Sequence, residues 1–282
     1  MLRALLSLLV LAWSTVACAT TSQDDACPGG FPQSGWNRGL EVAGQRREVY
    51  ALLPTQTGPR PLLIAFNGTT ENGQSFARRA RLQDYADRGF VVLAPSSAGN
   101  GTLWPVWDAM RPPGEEDAPN ADLALFDGLL ACAQARLEID ASRIYVAGHS
   151  AGGSMTNHLL QRRSSVLAGG IVGSGVYDGT RPGSTAPLDP MAVIVTWGGA
   201  NDQWSGLAGG VLVRRFGFWP EAVAAAQRYA EVPGGTMVAC QANDQGHVWL
   251  DELNGWMADT LLAHPRGQAG APVALPSVPG VR

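Results

Sequence analysis

The sequence predicts an α/β fold in which a mostly parallel, twisted sheet is covered by helices on both faces. Short apolar runs alternate along the chain with stretches of helical periodicity, which is typical of βα units. One of these runs, residues 143–147, leads through a glycine-rich turn directly into a helical stretch. The chain has 282 residues, of which 45% are hydrophobic and 16% charged, so it is large enough to bury a sizeable core.

The predicted elements follow one another in a regular order. The first is a hairpin formed by residues 40–42 and 47–53 around a turn at 43–45. Strands are expected at the apolar runs 61–66, 90–94, 143–147, 170–173, 191–196 and 236–240. Helices are expected at residues 75–88, 122–136, 154–160, 220–229 and 251–262. A long loop at residues 95–121 interrupts this pattern, and a loop of that length is usually functional or flexible.

The turn at residues 148–152 has the pattern Gly-x-Ser-x-Gly with Ser150 at its centre. A strand, a sharp turn and a helix are the context of a nucleophile elbow, in which the serine hydroxyl points outward. Side chains at positions 148 and 152 would collide with neighbouring elements, and the helix that follows would stabilise an oxyanion with its backbone N–H groups. The alternative is a glycine-rich turn whose serine has no catalytic role.

A serine hydroxyl needs a base, and after such an elbow the order along the chain is serine, acid, histidine. His247 is the favoured base because it lies in a loop after a strand, whereas His264 precedes a proline at the end of a helix. Asp202 is the favoured acid because it follows the strand at residues 191–196. Asp178 and Asp189, which precede that strand, are the alternatives.

The oxyanion donors are expected to be backbone N–H groups. The candidates are Thr69, in the loop after the strand at residues 61–66, and Ala151, directly after the serine. Substrate contacts are expected from aromatic side chains on nearby loops. The candidates are Trp104, Trp107, Trp204, Trp249 and His149. The alternative is that these tryptophans pack long loops onto the sheet.

Three segments resemble the secreted polyhydroxybutyrate-depolymerase and feruloyl-esterase-like α/β-hydrolases. They are the Gly-His-Ser-Ala-Gly-Gly run at 148–153, the helix start at 120–122 and the Gly-His-x-Trp segment at 246–249. The resemblance covers roughly residues 39–264, with departures at Asn67, where the family usually has histidine, and around Trp197. It implies an α/β-hydrolase fold and ester hydrolysis through an acyl-enzyme, without metal or organic cofactor.

The implied substrate is a carboxylic ester, either a polyhydroxyalkanoate-type polyester or a feruloyl or acetyl ester of a carbohydrate. Small esters and polymers both stay open, and we expect a monomer. Two other functions also stay open. One is a catalytically silent hydrolase-fold lipoprotein that binds a cell-envelope or wall polymer, and the other is a serine peptidase. A nucleic-acid partner is not expected, because the net charge is −4 and no long Lys/Arg run occurs.

Residues 1–18 are expected to be a signal peptide, because a basic start precedes an apolar run too short to span a bilayer. Residues 17–19 fit a signal-peptidase site, whereas residues 16–18 resemble a lipobox in which Cys18 would be acylated. Both routes predict a secreted or periplasmic protein, and the second adds a lipid anchor to the bacterial cell envelope. We expect a tether at 19–38, a catalytic domain at 39–264 and a disordered tail at 265–282.

Export permits disulfide formation among the remaining cysteines, Cys27, Cys132 and Cys240. Three cysteines leave one without an intramolecular partner, and the sequence does not specify the pairing.

Overall fold

An eight-stranded sheet forms the centre of the protein. The computed structural model describes residues 27, 31–42, 44–97, 104, 120–177, 187–208, 211–234, 237–242 and 244–267. The strands of the sheet are β1 (Gly35–Val42), β2 (Gln45–Leu52), β3 (Arg60–Phe66), β4 (Val91–Pro95), β5 (Ile139–His149), β6 (Gly169–Gly173), β7 (Ala192–Trp197) and β10 (Met237–Ala242). Their spatial order is β1-β2-β4-β3-β5-β6-β7-β10. The pairs from β4 to β10 are parallel and the two at the β1 edge are antiparallel, which confirms the predicted sheet.

Helices cover both faces of this sheet, again as predicted. They are α1 (Gly73–Arg79), α2 (Gln83–Ala86), α3 (Ala121–Arg136), α4 (Ala151–Arg162), α5 (Trp219–Ala230) and α6 (Asn254–Leu262). Alternate residues of a strand point to opposite faces. In β3, Leu62 and Ile64 therefore join the core beneath α3, α4 and α5. Leu63 and Ala65 join the core beneath α1, α2 and α6. The loops at the carboxyl ends of the parallel strands are thus held between two packed layers.

The predicted helix at residues 75–88 is wrong as a single element, because the structure divides it into α1 and α2. Arg81, between the two, has a φ of 48°, a backbone conformation that ends an α-helix. The Nδ2 group of Asn254 donates to the carbonyl oxygens of Ala80 (2.9 Å) and Arg81 (3.3 Å). A distant side chain therefore satisfies the carbonyls that a continuous helix would have used. The predicted last helix likewise begins with a separate 3-10 turn, Asp251–Leu253, before α6.

A hairpin that the sequence analysis did not predict follows β7. Its strands, β8 (Gln203–Ala208) and β9 (Val211–Gly217), pair antiparallel with each other and form a separate two-stranded sheet. The sequence signal was present, since Gly209-Gly210 separates two runs that contain several apolar residues. This hairpin begins directly after Asp202.

The amino-terminal boundary of the domain lies earlier than expected. β1 begins at Gly35, inside the segment assigned to a tether, and pairs with β2 from there. A disulfide joins Cys27 to Cys132 on α3 and settles the pairing that the sequence left open. At the other end, the backbone N–H of Arg266 donates to the carbonyl of Ser142 at 2.7 Å. The predicted signal peptide and most of the tail lie outside the described residues.

A buried ion pair joins α3 to the antiparallel edge of the sheet. Arg47 Nη2 of β2 contacts Asp122 Oδ1 at 2.6 Å, and both side chains are shielded from solvent. Burial raises the pKa of Asp122, and the neighbouring Arg47 opposes that rise. The helix start at residues 120–122, one of the segments that carried the family resemblance, therefore has a structural role. None of the helices in the described ranges is long and apolar enough to cross a bilayer.

Candidate active site

Ser150 lies in a tight turn between the end of β5 and the start of α4. Its backbone has φ 60° and ψ −121°, a conformation that residues other than glycine rarely adopt. A Cβ atom at Gly152 would overlap the carbonyl oxygen of Phe66, and one at Gly148 would overlap the carbonyl of Gly152. The predicted steric requirement for glycine at both positions is therefore confirmed. The Ser150 N–H donates to the carbonyl of Gly173 at 2.8 Å, which fixes the turn against β6.

The structure brings Asp202 and His247 into direct contact. His247 Nδ1 lies 2.7 Å from Asp202 Oδ1, and the carboxylate is fully buried. The other carboxylate oxygen, Oδ2, accepts hydrogen bonds from Ser174 Oγ (2.7 Å) and from the N–H of Gly198 (2.8 Å). These three contacts fix the orientation of the carboxylate. It can therefore hold the imidazole in the tautomer that carries its proton on Nδ1.

The alternative histidine and acids have other environments. His264 is buried with its Nδ1 facing the carbonyl oxygen of Thr260 at 2.6 Å. Asp189 is exposed on the approach to β7. Asp178 lies outside the described residues. Of these candidates, only His247 and Asp202 are observed to be paired with each other.

Two rings hold the imidazole of His247. The ring of Phe218 stacks on it with a centroid distance of 4.5 Å and an interplanar angle of 18°. The ring of His149 lies on it at 4.7 Å. His247 Nε2, the atom that would accept a proton from a serine, is buried and has no hydrogen-bond partner within the described chain. Catalytic hydrogen bonds are often long before substrate binds, so an Nε2 atom without a hydrogen bond is compatible with a role of His247 as the base.

The loop after β3 lies against the elbow. A Cβ atom at Gly68 would be 3.3 Å from the carbonyl oxygen of His149 and 3.5 Å from Ser150 Cβ. Asn67, which stands where the family usually has histidine, donates through Nδ2 to the carbonyls of Gly68 and Glu71, both at 2.9 Å. This side chain closes the loop on itself. Gly68 lies against Ser150, and Thr69, the candidate oxyanion donor, is the next residue along this closed loop.

A charged pair connects this loop to the histidines. Glu71 accepts the Gly68 N–H at 3.2 Å and binds Arg79 of α1 through both carboxylate oxygens, at 2.6 and 2.8 Å. Arg79 Nη2 lies 3.5 Å from His149 Nδ1. Burial lowers the pKa of His149 well below 6.5, and the neighbouring His247 and Arg79 lower it further. His149 is therefore a neutral ring packed beside His247, and it does not add a charge that would oppose protonation of that base.

The tryptophans predicted to contact substrate have different positions. Trp104 is 1% exposed, packs edge-on against Phe66, and donates from Nε1 to the carbonyl of Asn67 at 2.8 Å. Trp249 is also buried and donates from Nε1 to Asn254 Oδ1 at 3.0 Å. The expectation that these two rings stack on substrate is wrong in this structure, since neither ring is accessible. Each instead anchors a loop of the site.

Trp204 is half-buried at the base of the β8–β9 hairpin, paired with Phe216 in the strand register. Its role as a substrate contact stays a prediction. Trp107 lies outside the described residues.

Sequence reasoning missed several residues of the site, which are Ser174, Phe218, Glu71 and Arg79. Ser174 had a recognisable signal, because it follows the strand after the elbow within a Gly-Ser-Gly turn. Phe218 would have been found if the Gly209-Gly210 hairpin had been predicted, since that hairpin returns the chain to Asp202. Glu71 and Arg79 had no signal, because a loop residue and a helix residue eight positions apart form no recognisable pattern.

A metal site is not observed in the described ranges, where no group of three or more His, Cys, Asp or Glu side chains lies close enough to hold an ion. The polar groups of this region include the Ser150 hydroxyl, the His247–Asp202 pair, the ring of His149 and backbone N–H groups. Such an arrangement can move a proton from a hydroxyl, hold a developing imidazolium and donate hydrogen bonds to an oxyanion.

Comparison with known proteins shows that the chain is similar to esterases and related hydrolases. The sequence profile of a family described as esterase PHB depolymerase matches residues 49–269. An oxidized polyvinyl alcohol hydrolase from Sphingopyxis sp. (strain 113P3) is 27% identical over 322 residues, covering 93% of this chain and 88% of that protein. Feruloyl esterase B from Neurospora crassa is 29% identical over 146 residues, covering 50% and 49% of the two chains.

The solved structures that resemble this protein support its fold. A crystal structure described as native pOPH superposes with a TM-score of 0.77 over 91% of this chain and 95% of its own, at 23% identity. An acetyl xylan esterase from Aspergillus awamori has a TM-score of 0.54 and covers 75% of this chain and 94% of its own, at 14% identity. The predicted α/β-hydrolase fold is thereby confirmed.

Proposed function

Because the chain belongs to the esterase PHB depolymerase family and is a carboxylic ester hydrolase, we propose that it cleaves esters through an acyl-enzyme formed on Ser150. The observation that supports this most is the geometry around His247. Its Nδ1 is paired with a buried carboxylate at 2.7 Å, and its Nε2 is free of protein partners in the described chain. Ser150 itself has a strained backbone conformation and lies directly before α4.

The reaction follows from these positions in two stages. Ser150 Oγ attacks the ester carbonyl carbon while His247 Nε2 takes the hydroxyl proton, and Asp202 stabilises the resulting imidazolium. The tetrahedral oxyanion accepts hydrogen bonds from the N–H groups of Thr69 and Ala151. When the intermediate collapses, the C–O bond to the alcohol breaks and His247 returns the proton to the leaving oxygen. A water molecule then repeats the sequence on the acyl-enzyme, which releases the carboxylic acid and restores the serine.

The substrate we propose is an ester of a polymer with an aliphatic backbone. The relative that covers nearly all of this chain is named for oxidized polyvinyl alcohol, whereas the feruloyl esterase covers half of it. A polyhydroxyalkanoate-type polyester shares the aliphatic chain with regularly spaced carbonyl groups, although these belong to esters, whereas oxidation of an alcohol polymer gives ketones. Feruloyl and acetyl esters of carbohydrates are the second candidate class, supported by the shorter matches to feruloyl and acetylxylan esterases.

We further propose that the enzyme is exported. The support is the apolar run that follows the basic start of the chain, together with the small residues around Cys18. An acylated Cys18 would anchor the enzyme to the cell envelope. Insoluble or high-molecular-weight esters do not enter cells, so this location fits a polymer substrate.

The test is hydrolysis of p-nitrophenyl acetate, p-nitrophenyl butyrate, methyl ferulate and poly(3-hydroxybutyrate) by the wild type and by Ser150→Ala. Loss of the nucleophile should lower kcat by several orders of magnitude, on the order of 10⁴-fold or more. Ser165→Ala is a matched control, because this exposed serine lies beyond the far end of α4, roughly 18 Å or more along the helix from Ser150. Full activity in Ser150→Ala would show that another group is the nucleophile.

A further inference from the structure

In the part of the chain that the structure describes, the large exposed apolar side chains are concentrated in one segment. Within the described residues, the large hydrophobic side chains that are exposed are Leu207 (65%), Leu212 (67%), Trp219 (54%) and Val223 (37%). All four lie on the β8–β9 hairpin or on the first turns of α5, which we call the apolar arm (residues 203–208 and 211–223). Isolated exposed leucines are ordinary, whereas exposed apolar side chains grouped in one segment are typical of a binding surface.

The base of the apolar arm is attached to the catalytic pair. The arm begins directly after Asp202, and its return is fixed by a hydrogen bond from the Phe218 N–H to the Asp202 carbonyl at 3.1 Å. The Phe218 ring stacks on His247, and Phe216 packs against Phe218 at 5.0 Å. A chain bound along the arm would therefore lead directly to the ring of His247.

The far part of the apolar arm carries a cross-strand leucine pair. Leu207 and Leu212 lie directly opposite each other in the strand register, so their side chains share one face. Leu207 is four residues from Gln203 at the base, a distance of roughly 14 Å along an extended strand. A single small ester at Ser150 is too short to span that distance, whereas several repeats of a polymer chain are long enough.

The fold itself gains little from these side chains. The hairpin pairs with itself and not with the central sheet, and an isolated two-stranded hairpin is marginally stable in water. The cross-strand leucine pair stabilises the hairpin only slightly, and both side chains remain mostly exposed. Burial against a bound molecule would remove this apolar surface from water.

The charges of the hairpin part of the apolar arm indicate the chemistry of that molecule. The α5 part contains one acidic residue, Glu221, whose carboxylate accepts a backbone N–H. The hairpin sequence at 203–217 contains two arginines, Arg214 and Arg215, and no acidic residue, although the whole chain has a net charge of −4.

Both arginines are exposed. Arg214 lies on the same face of β9 as Leu212, whereas Arg215 lies on the other face and donates from Nε to Gln203 Oε1 at 2.8 Å. Guanidinium groups donate hydrogen bonds to carbonyl and carboxylate oxygens. Apolar side chains beside such donors suit a chain in which aliphatic segments alternate with ester groups.

We propose that the apolar arm is the binding surface for the aliphatic polyester chain that flanks the bond being cleaved. This proposal rests on the proposed function and specifies its substrate as a polymer that contacts the enzyme well beyond the scissile ester. Binding energy from these remote contacts favours the polymer over a short ester of the same acyl group.

The test uses the double variant Leu207→Ser/Leu212→Ser in the full mature protein, with intact folding checked by circular dichroism and thermal melting. Hydrolysis rates are measured on amorphous poly(3-hydroxybutyrate) particles and on p-nitrophenyl acetate. The ratio of the polymer rate to the acetate rate should fall about tenfold or more, because about two leucine side chains no longer leave water on binding. The double variant Thr55→Ser/Thr57→Ser, in the exposed loop before β3, should keep the wild-type ratio.

Adsorption separates this proposal from the catalytic one. Binding to polymer particles is measured with Ser150→Ala in the presence and absence of the leucine substitutions, so it does not depend on turnover. Adsorption that is lost with the leucines supports the arm even if Ser150 is not the nucleophile. An unchanged ratio together with unchanged adsorption overturns the proposal, and so does an equal fall of both rates, since the leucines would then support the catalytic geometry.

Two other occupants of the apolar arm are outcomes of the same experiment. If the wild type is a dimer in size-exclusion chromatography and the leucine variant a monomer with an unchanged ratio, the arm is an interface between copies of this chain. If the wild type cosediments with phosphatidylcholine–phosphatidylglycerol vesicles, the variant does not, and the ratio is unchanged, the arm binds membranes. Either result overturns the polymer assignment.

Discussion

Three loops around Ser150 each contain a residue other than glycine with a positive φ. These residues are Thr70 (φ 66°) after β3, Ser150 itself (φ 60°) and Ser174 (φ 46°) after β6. Each such conformation costs on the order of 1–3 kcal/mol and persists only where the surroundings enforce it. Here the enforcing contacts are visible, since Ser174 Oγ is bound to Asp202 and the Ser150 N–H to Gly173. The backbone strain is therefore associated with the positions of the proposed catalytic groups.

Ser174 and Asp202 should differ sharply in their contributions to the rate. Asp202→Asn leaves the volume unchanged but removes the charge that stabilises the imidazolium, so kcat should fall by about 10³–10⁴-fold. Ser174→Ala removes one of the two hydrogen bonds to Oδ2 and keeps the carboxylate, so kcat should fall by about tenfold or less. Steady-state kinetics on p-nitrophenyl butyrate distinguish the two. Equal losses in both variants would show that Ser174 does more than orient the acid.

His149 should make the stability of the protein depend on pH. The folded state keeps this buried ring neutral, whereas the unfolded chain protonates it near pH 6.5. Below that pH the unfolded state binds more protons, so the free energy of unfolding is fully retained above about pH 6.5 and falls as the pH is lowered. His149→Gln should flatten this dependence by up to one proton, about 1.4 kcal/mol per pH unit.

Urea unfolding at intervals between pH 5 and 8 measures that slope. Glu41→Gln, which alters an exposed carboxylate on β1, should keep the wild-type slope over this range. If His149→Gln also kept it, the imidazole would be protonated in the folded protein, and its neutral role beside His247 would be wrong.

At the scale of elements, the loop that carries His247 is supported from a distance. Trp249 follows His247 by two residues and donates to Asn254, which in turn binds the carbonyls of Ala80 and Arg81 between α1 and α2. The same contacts explain why the predicted helix at residues 75–88 is divided. Helical periodicity continues through that segment, so no local pattern could have predicted a break that depends on a side chain more than 170 positions away.

The disulfide between Cys27 and Cys132 attaches the segment before β1 to α3. It joins residues 105 positions apart, so it restricts the unfolded chain strongly. Replacing both cysteines, Cys27→Ser/Cys132→Ser, should lower the free energy of unfolding by about 2–5 kcal/mol. Thermal melting with and without dithiothreitol measures this.

The reducing agent should lower the Tm of the wild type and leave that of the double variant unchanged. Cys240→Ser serves as the control and should still respond to reduction. A wild type whose Tm is insensitive to a reductant, with complete reduction verified by mass, would contradict a stabilising disulfide.

At the scale of the whole molecule, the sequence predicted most of the sheet and its helices. The buried parallel strands were recognisable because their apolar runs are continuous, and the pairing of Asp202 with His247 followed from the fixed order of acid and histidine after the elbow. That tryptophans pack loops onto the sheet was one of the two alternatives from the sequence, but which of them do so was not predictable. Trp104 is buried because a carbonyl of the loop after β3 accepts its indole N–H, and that contact joins segments 37 residues apart.

The hairpin β8–β9 shows a second reason why the sequence prediction was incomplete. Its turn signal was present in the sequence, but a two-stranded sheet outside the central one has no place in the regular alternation of strands and helices. The alternation pattern therefore favoured an uninterrupted loop between β7 and α5. Both the Phe218 ring on His247 and the apolar arm depend on that hairpin.

The most direct test of Ser150 as the nucleophile is covalent labelling of the protein with diethyl p-nitrophenyl phosphate, followed by peptide mass spectrometry. A serine activated by His247 should be phosphorylated stoichiometrically, with release of one p-nitrophenol and loss of esterase activity in proportion. We expect a single adduct on Ser150, within the tryptic fragment 144–162. We expect no adduct in Ser150→Ala and much slower labelling in His247→Ala. An adduct on another residue, or full labelling without loss of esterase activity, would contradict the assignment of Ser150 as the nucleophile.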